Sequence, residues 1–265
     1  MENRPNRMLR DIEENRLALG LGVGMVPGAG IPLVAAAAGY SWLFVDLEHS
    51  PLSLKDVAEL SMSSIGFELG CLVRLCRDSI HEGCRALDNG ASGVVMPRVN
   101  DAADARRLVE LCKYKPVGNR SWGGPSPHLG FPAKPSEALM SRANRETWAV
   151  AMIESISGVA NVEEIAATPG LDAVFIGAVD LSTEMGYHGD VTHPDVVADI
   201  GRCAEIIAAH GLKVGLGGVF GNKAFSLYSD FHFDFFLAGI DYRLLNDAIR
   251  QRAVDTVDGL AAAKV

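Results

Sequence analysis

WLFVDLEHSPLSLKDVAELSMSSIGFELGCLVRL, which spans residues 42–75, contains two short apolar runs separated by a segment of helical length. The runs at 42–47 and 71–75 are nearly continuous rather than alternating, which is typical of parallel strands covered on both faces. The segment 53–65 between them begins with Ser53, a residue type that caps helix N-termini. This stretch therefore predicts a strand–helix–strand unit.

The same unit recurs along the rest of the chain. Further short apolar runs, several of them bounded by glycine, lie at 20–26, 93–97, 148–153, 172–179, 213–219 and 233–240. Two more segments of helical length, 101–113 and 194–210, carry start signals in Asp101 and Pro194. Eight strand–helix units in 265 residues match a TIM barrel, so we predict an α/β fold in one domain spanning residues 1–265. A doubly wound open sheet is the alternative, but it normally uses fewer strands in this length.

The composition excludes several classes of protein. With 48% hydrophobic and 22% charged residues, the chain has enough apolar side chains to bury a core and is not a disordered protein. Its net charge of −9 argues against nucleic acids and anionic membranes as partners. The polar N-terminus MENRPNRMLRDIEENR and the lack of an apolar run of about 18 residues predict neither a signal peptide nor a membrane span. Five cysteines without a CxxC pair favour reduced thiols and hence a cytoplasmic location.

One segment departs from the strand–helix pattern. Residues 115–146 hold five prolines and four glycines. A loop of that length in a compact domain is usually functional or mobile. Because it comes after the fourth predicted strand, we expect it to lie over the barrel mouth, with Trp122 shaping the entrance.

Ionisable residues directly follow the second predicted strand, in the sequence Asp46-Leu47-Glu48-His49. Polar residues at the carboxyl ends of barrel strands are typical of active sites. A histidine held beside carboxylates has its orientation fixed and its charged form stabilised, which suits a general base. The alternative is a surface turn whose polar groups satisfy one another.

Three more charged residues lie within or directly after predicted strands. Arg74 stands inside an apolar strand, where its charge requires a buried carboxylate or an anionic substrate, and a structural ion pair would satisfy the same need. Glu154 and Asp180 follow the fifth and sixth strands, and two carboxylates in apolar surroundings repel unless they share a proton or a cation. Hard oxygen ligands of this kind suit Mg²⁺ or Mn²⁺, although hydrogen bonds from loop amides are the alternative.

A glycine-rich stretch imitates a dinucleotide-binding fingerprint. Gly22, Gly24 and Gly28 are followed by Asp46 at about the distance of the acidic residue that binds ribose. The spacing is GxGxxxG rather than GxGxxG, and Asp46 belongs to the ionisable cluster described above. We therefore expect no nicotinamide cofactor.

From about residue 20 to residue 245, the chain resembles the HpcH/HpaI aldolases, a family of metal-dependent pyruvate aldolases. The resemblance is carried by FVDLEHSP (44–51), VRLCR (73–77), GVVMPRVN (93–100), AMIES (151–155) and DAVFIGAVDLSTEMGY (172–187). It implies a divalent ion, Mg²⁺, Mn²⁺, Co²⁺ or Zn²⁺, held by Glu154 and Asp180. It also implies that His49 is the base and that Arg74 stabilises the enolate.

The resemblance implies further roles at the same site. Asp46 and Asp88 match carboxylates associated with the base, and Asp88 would have to come from a neighbouring chain. Gly177, Val179 and Asp180 match the segment whose backbone amides hold the pyruvate carboxylate. Two departures bear on the substrate: Met152 replaces a glutamine common in the family, and Trp122 stands in an altered loop.

The activity implied is reversible cleavage of a 4-hydroxy-2-oxo acid into pyruvate, or an analogue such as hydroxypyruvate, and an aldehyde. A CoA-ester lyase or an oxaloacetate decarboxylase on the same scaffold is the nearer alternative. A non-catalytic barrel that binds a small carboxylate is the more distant one. The resemblance implies hexamers built from dimers that exchange C-terminal helices, and the segment after Tyr242 is a suitable amphipathic helix.

Overall fold

The computed structural model describes residues 6–124, 126–132 and 134–262. Eight parallel strands pair in chain order and close into a barrel, which confirms the predicted TIM-barrel fold and excludes an open sheet. The strands are β1 (Ala18–Val23), β2 (Trp42–Asp46), β3 (Gly70–Arg74), β4 (Gly93–Met96), β5 (Trp148–Ile153), β6 (Ala173–Gly177), β7 (Lys213–Gly217) and β8 (Phe235–Ile240). Each lies within three residues of the bounds predicted from the sequence.

Helices surround the barrel and include all three that the sequence predicts. They are α1 (Arg7–Glu13), α2 (Gly30–Ala37), α3 (Leu54–Gly66), α4 (Gly83–Asp88), α5 (Ala102–Cys112), α6 (Glu137–Glu146), α7 (Ile156–Ala160), α8 (Val162–Ala166), α9 (Ala178–Glu184), α10 (Pro194–Ala209), α11 (Asn222–Tyr228) and α12 (Asp241–Ala262). Asp101 caps α5 by accepting hydrogen bonds from the backbone N–H groups of Ala103 and Asp104. Within the described ranges, no helix combines the length and apolarity that crossing a membrane requires.

Aromatic side chains fill the barrel interior, and glycines on the strands make room for them. Trp42, Phe175 and Phe235 are almost fully buried, with ring centroids 5.6–6.4 Å apart. A Cβ at Gly20 would lie 2.3 Å from the Trp42 ring, and one at Gly215 would lie 2.3 Å from Phe235. The glycines of the strand runs are therefore a packing requirement, and the interior is a solid core beneath the carboxyl end of the barrel.

Helix α12 is largely detached from the barrel. Only Asp241 of its 22 residues is buried. Apolar side chains along the rest of the helix are exposed to solvent, among them Ile249 (60% exposed) and Leu260 (63% exposed). The outward side chains of the neighbouring strands β1 and β8, Leu19 and Phe236, instead line an open groove of about 490 Å³. The last helix of this barrel thus leaves uncovered the face on which the eighth helix of a TIM barrel packs.

The segment 115–146 differs from its prediction in two respects. Residues 137–146 form α6, and 127–129 form a short 3₁₀ helix, so the segment is not one long loop. It follows α5, which returns the chain from the carboxyl to the amino end of the barrel. The segment therefore lies at the end opposite the mouth, and the expectation that it covers the mouth is wrong.

Candidate active site

A cavity of about 330 Å³ opens at the carboxyl end of the barrel. Its floor is apolar and consists of Phe44, Met152, Phe175 and Leu237 from the strands beneath. Its walls are the strand ends and the loops that follow them, where the predicted polar residues lie. The size suits a small molecule, and the floor separates it from the rest of the interior.

Asp46 and Arg74 form a two-point ion pair across neighbouring strands. Arg74 is 8% exposed, and its Nε and Nη2 donate to the Asp46 carboxylate at 2.9 and 2.7 Å. Although burial acts against ionisation, the hydrogen bonds and charge of Arg74 hold the pKa of Asp46 below its usual value. Of the two partners that the sequence left open for Arg74, the buried carboxylate is the one within reach. Arg74 also lines the cavity.

His49 lies at the rim of the cavity on a turn built by Asp46. The Asp46 carboxylate accepts from the backbone N–H of Glu48 at 2.9 Å and of His49 at 3.3 Å. The imidazole is 64% exposed, and its carboxylate neighbour is Glu48, with Nε2 3.7 Å from Oε2. Asp46 therefore shapes the turn, whereas Glu48 lies beside the ring.

Glu48 also faces Arg74, 3.4 Å from Nη1. Burial raises the pKa of the Glu48 carboxyl, with the charges of Asp46 and Asp180 adding to the effect and Arg74 opposing it. The sequence contains a signal for Glu48, because it follows Asp46 by two residues and residues two apart at the end of a strand point to the same side. The sequence prediction assigns a role to Asp46 and His49 of this cluster but none to Glu48.

Glu154 is the most perturbed ionisable group of the cavity region. It is 2% exposed, and burial together with the nearby charge of Asp180 raises its pKa to about 7. Its Oε1 accepts one hydrogen bond, at 3.0 Å, from the backbone N–H of Arg98, a residue with φ +51°. Its Oε2 is buried and has no hydrogen-bond partner among the described residues. A buried carboxylate oxygen in this condition needs a proton or a cation.

The surroundings of Glu154 fit a divalent cation. Asp180 lies on the cavity wall, close enough for its charge to act on Glu154. A Cβ at Gly177 would lie 2.9 Å from Glu154 Oε2, so glycine keeps the space beside that oxygen open. Within residues 6–124, 126–132 and 134–262, no three His, Cys, Asp or Glu side chains converge as a ready-made ion site. An ion held by two carboxylates would have its other coordination positions filled by water or substrate oxygen, and Mg²⁺ is commonly bound in this way.

The family model for HpcH/HpaI aldolase/citrate lyase matches residues 31–223. The chain belongs to this family. It is 36% identical over 220 residues to a 4-hydroxy-4-methyl-2-oxoglutarate aldolase of Chaetomium globosum, covering 82% of each chain. It is 35% identical over 228 residues to a hydroxypyruvate/pyruvate aldolase of Chromohalobacter salexigens, covering 84% of this chain and 86% of that one.

Solved structures agree with this assignment. The HpcH/HpaI aldolase from Desulfitobacterium hafniense superposes with a TM-score of 0.87 at 25% identity, covering 95% of this chain and 96% of that one. The predicted family and the predicted enzyme class, an aldolase-type lyase, are confirmed.

In this HpcH/HpaI aldolase the glycine-rich stretch binds a carboxylate of its own chain. The backbone N–H groups of Gly24, Met25 and Val26 donate to Asp241 at 2.8–3.2 Å. The amides that would hold a phosphate in a dinucleotide-binding loop are thus occupied by the first residue of α12. The contact also fixes the start of α12 to the loop after β1.

Two predicted site residues lie at the other end of the barrel within the chain. Asp88 ends α4 just before β4 and pairs with Arg120 at 2.8 Å. Trp122 packs on Tyr114, with ring centroids 6.1 Å apart. Trp122 therefore does not shape the mouth of its own barrel, and that expectation is wrong. Asp88 lies where the sequence placed it for a single chain.

Proposed function

We propose that this protein is a divalent-metal-dependent aldolase that reversibly cleaves a 4-hydroxy-2-oxo acid into pyruvate, or a close analogue such as hydroxypyruvate, and an aldehyde. The observation that carries the proposal is the buried Glu154 oxygen without a partner. It lies beside Asp180, next to a cavity that also holds Arg74 and His49. Family membership gives the reaction class, and this arrangement supports the individual roles.

Glu154 and Asp180 are the proposed ligands of the ion, which is Mg²⁺, Mn²⁺, Co²⁺ or Zn²⁺. When bound, such an ion supplies Lewis-acid polarisation of the substrate keto group. The chain's own contribution is a buried Glu154 carboxylate that is costly to hold as a bare anion, and a bound cation offsets that cost. The backbone N–H of Arg98 donates to Oε1 of Glu154, which leaves Oε2 available to bind the ion.

His49 is the proposed general base. In cleavage, His49 accepts the proton of the C4 hydroxyl, the C3–C4 bond breaks, and a carbonyl forms at C4. The bond's electron pair passes to the pyruvate half as an enolate, which takes a proton at C3 to complete the reaction. Glu48, 3.7 Å from the imidazole, stabilises the protonated ring, and Asp46 positions its backbone.

Arg74 supplies fixed positive charge where negative charge develops on the enolate oxygen. Its ion pair with Asp46 orients the guanidinium, and its Nη1 lies 3.4 Å from the Glu48 carboxylate. Gly177, Val179 and Met152 line the same cavity and are the proposed walls for the pyruvate half. Met152, in place of the family's glutamine, makes that wall apolar.

Copies of the chain are proposed to associate, with α12 of one copy in the β1–β8 groove of another. The exposed apolar face of α12 and the apolar lining of the groove support this arrangement. A hexamer built from three such dimers would let Asp88 and Trp122 approach His49 of a second copy, whereas within one chain they lie at the opposite end of the barrel from His49. The free thiols of all five cysteines are in keeping with the proposed cytoplasmic location.

The test is a cleavage and condensation assay on the metal-depleted protein, with each ion added back separately. Activity should vanish after chelation and return with one or more of the four ions. Undiminished turnover after complete metal removal would overturn the mechanism. Oxaloacetate is assayed alongside, and turnover of oxaloacetate without any aldol activity would favour the decarboxylase instead.

A further inference from the structure

The loop after β4 contains a residue whose backbone conformation is unfavourable for its side chain. Arg98 has φ +51°, in the left-handed region that residues with a Cβ rarely adopt. It follows Pro97, shortly after β4 ends at Met96. A conformation of this kind persists only where the surroundings hold it, and such residues cluster at functional sites. The contacts of Arg98 therefore indicate what the conformation is for.

The left-handed turn directs two consecutive backbone N–H groups to the end of β5. The N–H of Arg98 donates to Glu154 Oε1 at 3.0 Å, and the N–H of Val99 donates to the carbonyl of Met152 at 3.0 Å. A left-handed residue within a turn lets neighbouring N–H groups point to one side, as they do in anion-binding nests. The conformation of Arg98 thus brings a hydrogen-bond donor to the buried Glu154 carboxylate.

Side chains from two other parts of the barrel hold Arg98 in place. Nη1 of Arg77, in the segment after β3, donates to the carbonyl of Arg98 at 2.6 Å. The guanidinium of Arg98 pairs with Glu184, the last residue of α9, at 3.3 Å. The other carboxylate oxygen of Glu184 accepts the backbone N–H of Ile156, just beyond Glu154, at 3.1 Å. The strained residue is therefore fixed at its carbonyl, its N–H and its side chain.

The contacts of Arg98 connect the elements that carry both proposed ligands of the ion. Asp180 stands in the first turn of α9, and Glu184, one turn later, is the partner of the Arg98 side chain. Glu154 accepts the Arg98 N–H through Oε1, whereas its Oε2 has no partner among the described residues. Outer hydrogen bonds orient metal ligands, and losing one typically lowers metal affinity about 10- to 100-fold. Arg98 lies where such an orienting residue is needed.

We propose that Arg98 is a positioning residue for the metal site, because its left-handed backbone fixes the Glu154 carboxylate and leaves Oε2 for the ion. This inference rests on the proposed aldolase function, in which Glu154 binds a divalent cation. Arg98 acts through its backbone N–H, and its side chain helps to hold the conformation. Tolerance of a left-handed backbone, rather than positive charge, should therefore decide which residues can replace Arg98.

The test compares substitutions that all remove the guanidinium. Asparagine adopts the left-handed conformation readily, whereas the β-branched side chain of valine resists it. Arg98→Val should weaken Mn²⁺ binding, measured by calorimetry, about 10- to 100-fold. Arg98→Asn should stay within about 3-fold of the native affinity, because an exposed ion pair contributes little. Arg98→Ala should lie between the two, and it supplies the comparison with Arg98→Asn if the valine variant does not fold.

Glu68→Val is the matched control at the amino end of the barrel. Glu68 has φ +58°, and its side chain is 55% exposed, against 51% for Arg98. It also belongs to an ion pair, with Arg10 at 2.7 Å. Valine at this position places the same demand on the backbone away from the cavity, so stability to urea should fall while Mn²⁺ affinity stays native. Equal losses of affinity in Glu68→Val and Arg98→Val would overturn the proposal, since general destabilisation would then account for both.

The native protein and Glu154→Gln separate a failure of this role from a failure of the proposed function. If the native protein neither binds Mn²⁺ nor shows aldol activity, the metal-dependent aldolase function itself is overturned. Mn²⁺ binding that is lost in Glu154→Gln but native in Arg98→Val would overturn only the role of Arg98. A loss in Arg98→Asn as large as in Arg98→Val would also overturn it, because the guanidinium rather than the backbone would then be what matters.

Discussion

Lys113 at the amino end of the barrel and Glu154 at the carboxyl end are both 2% exposed, yet their surroundings differ. The Lys113 ammonium donates to the carbonyls of Asn144 and Thr147 at 2.7 and 2.5 Å and pairs with Asp172 at 2.6 Å. All three of its protons have partners. Glu154 receives one backbone hydrogen bond and keeps one oxygen without a partner.

The difference separates a structural charge from a functional one. A buried charge that only joins elements gains most when every donor and acceptor is satisfied. A buried charge that binds a ligand has to keep some of that capacity free, and the fold loses stability as a result. Substitutions at the two ends should therefore affect different measurements.

The largest effect is expected from Glu154→Gln. Loss of the buried anion removes a ligand of the proposed ion and the several kcal/mol that Lewis-acid polarisation supplies, so turnover should fall about 10⁴-fold. Mn²⁺ binding, followed by calorimetry, should be lost in parallel. Glu163→Gln, at a side chain that is 77% exposed, is the matched control. A variant that binds Mn²⁺ normally would remove Glu154 from the metal site.

Lys113→Met should act on stability instead. It leaves the half-buried Asp172 carboxylate without its cation, which is expected to cost about 3 kcal/mol in the free energy of unfolding, measured with urea. Adding Asp172→Asn should recover much of this loss, because the unpaired charge is then removed. Turnover per folded molecule should match the native value. A large drop in that turnover would contradict the structural role of Lys113.

His49→Ala should lower turnover about 10²- to 10³-fold, within the range for a general base. His232 is a close match at the amino end: it is 68% exposed and 3.6 Å from Asp234, against 64% and 3.7 Å from Glu48 for His49. His232→Ala should leave turnover unchanged. Equal effects of the two substitutions on turnover would contradict a specific role for His49 at the carboxyl end of the barrel.

The smallest effect is a pH-dependent gain in stability of the metal-free Glu154→Gln variant. Burial raises the pKa of Glu154 from an ordinary value near 4.5 to about 7, so the free energy of unfolding of the metal-free native protein falls as pH rises between these values and levels off above them. The Glu154→Gln variant has no charge at this position, so its stability does not fall in this way. With EDTA present, the stability advantage of the variant over the native protein should grow by about 2.5 kcal/mol between pH 5 and pH 8. No change in the difference with pH would contradict the strained state of Glu154.

The sequence was sufficient for the barrel because its signals are local. Each strand is an apolar run covered on both faces. The strand ends carry Arg74 and Asp180 to one cavity, with Glu154 buried nearby, and none of this needs long-range information. The cap of α5 at Asp101 is equally local. The roles of these residues stay proposals.

The features that the sequence did not predict depend on the direction in which the chain runs and on contacts between residues far apart in sequence or in different molecules. Helix α5 reverses the chain direction between β4 and Trp122, and the prediction that Trp122 lies at the mouth fails because of this reversal. An apolar face on α12 is visible in its sequence, but which molecule covers it is not. Arg98 resembles any other arginine until the fold gives it a left-handed backbone and brings its N–H to Glu154.

The aromatic packing beneath the cavity determines the route by which substrates bind and products are released. Trp42, Phe175 and Phe235 close the barrel from below, so both products of cleavage have to leave through the same opening. A pyruvate half held at the buried Glu154 would lie deepest, and the other half would lie toward the exposed His49 at the rim. Steady-state kinetics should accordingly be ordered: the aldehyde or ketone departs first and pyruvate last, and in condensation pyruvate has to bind before the acceptor.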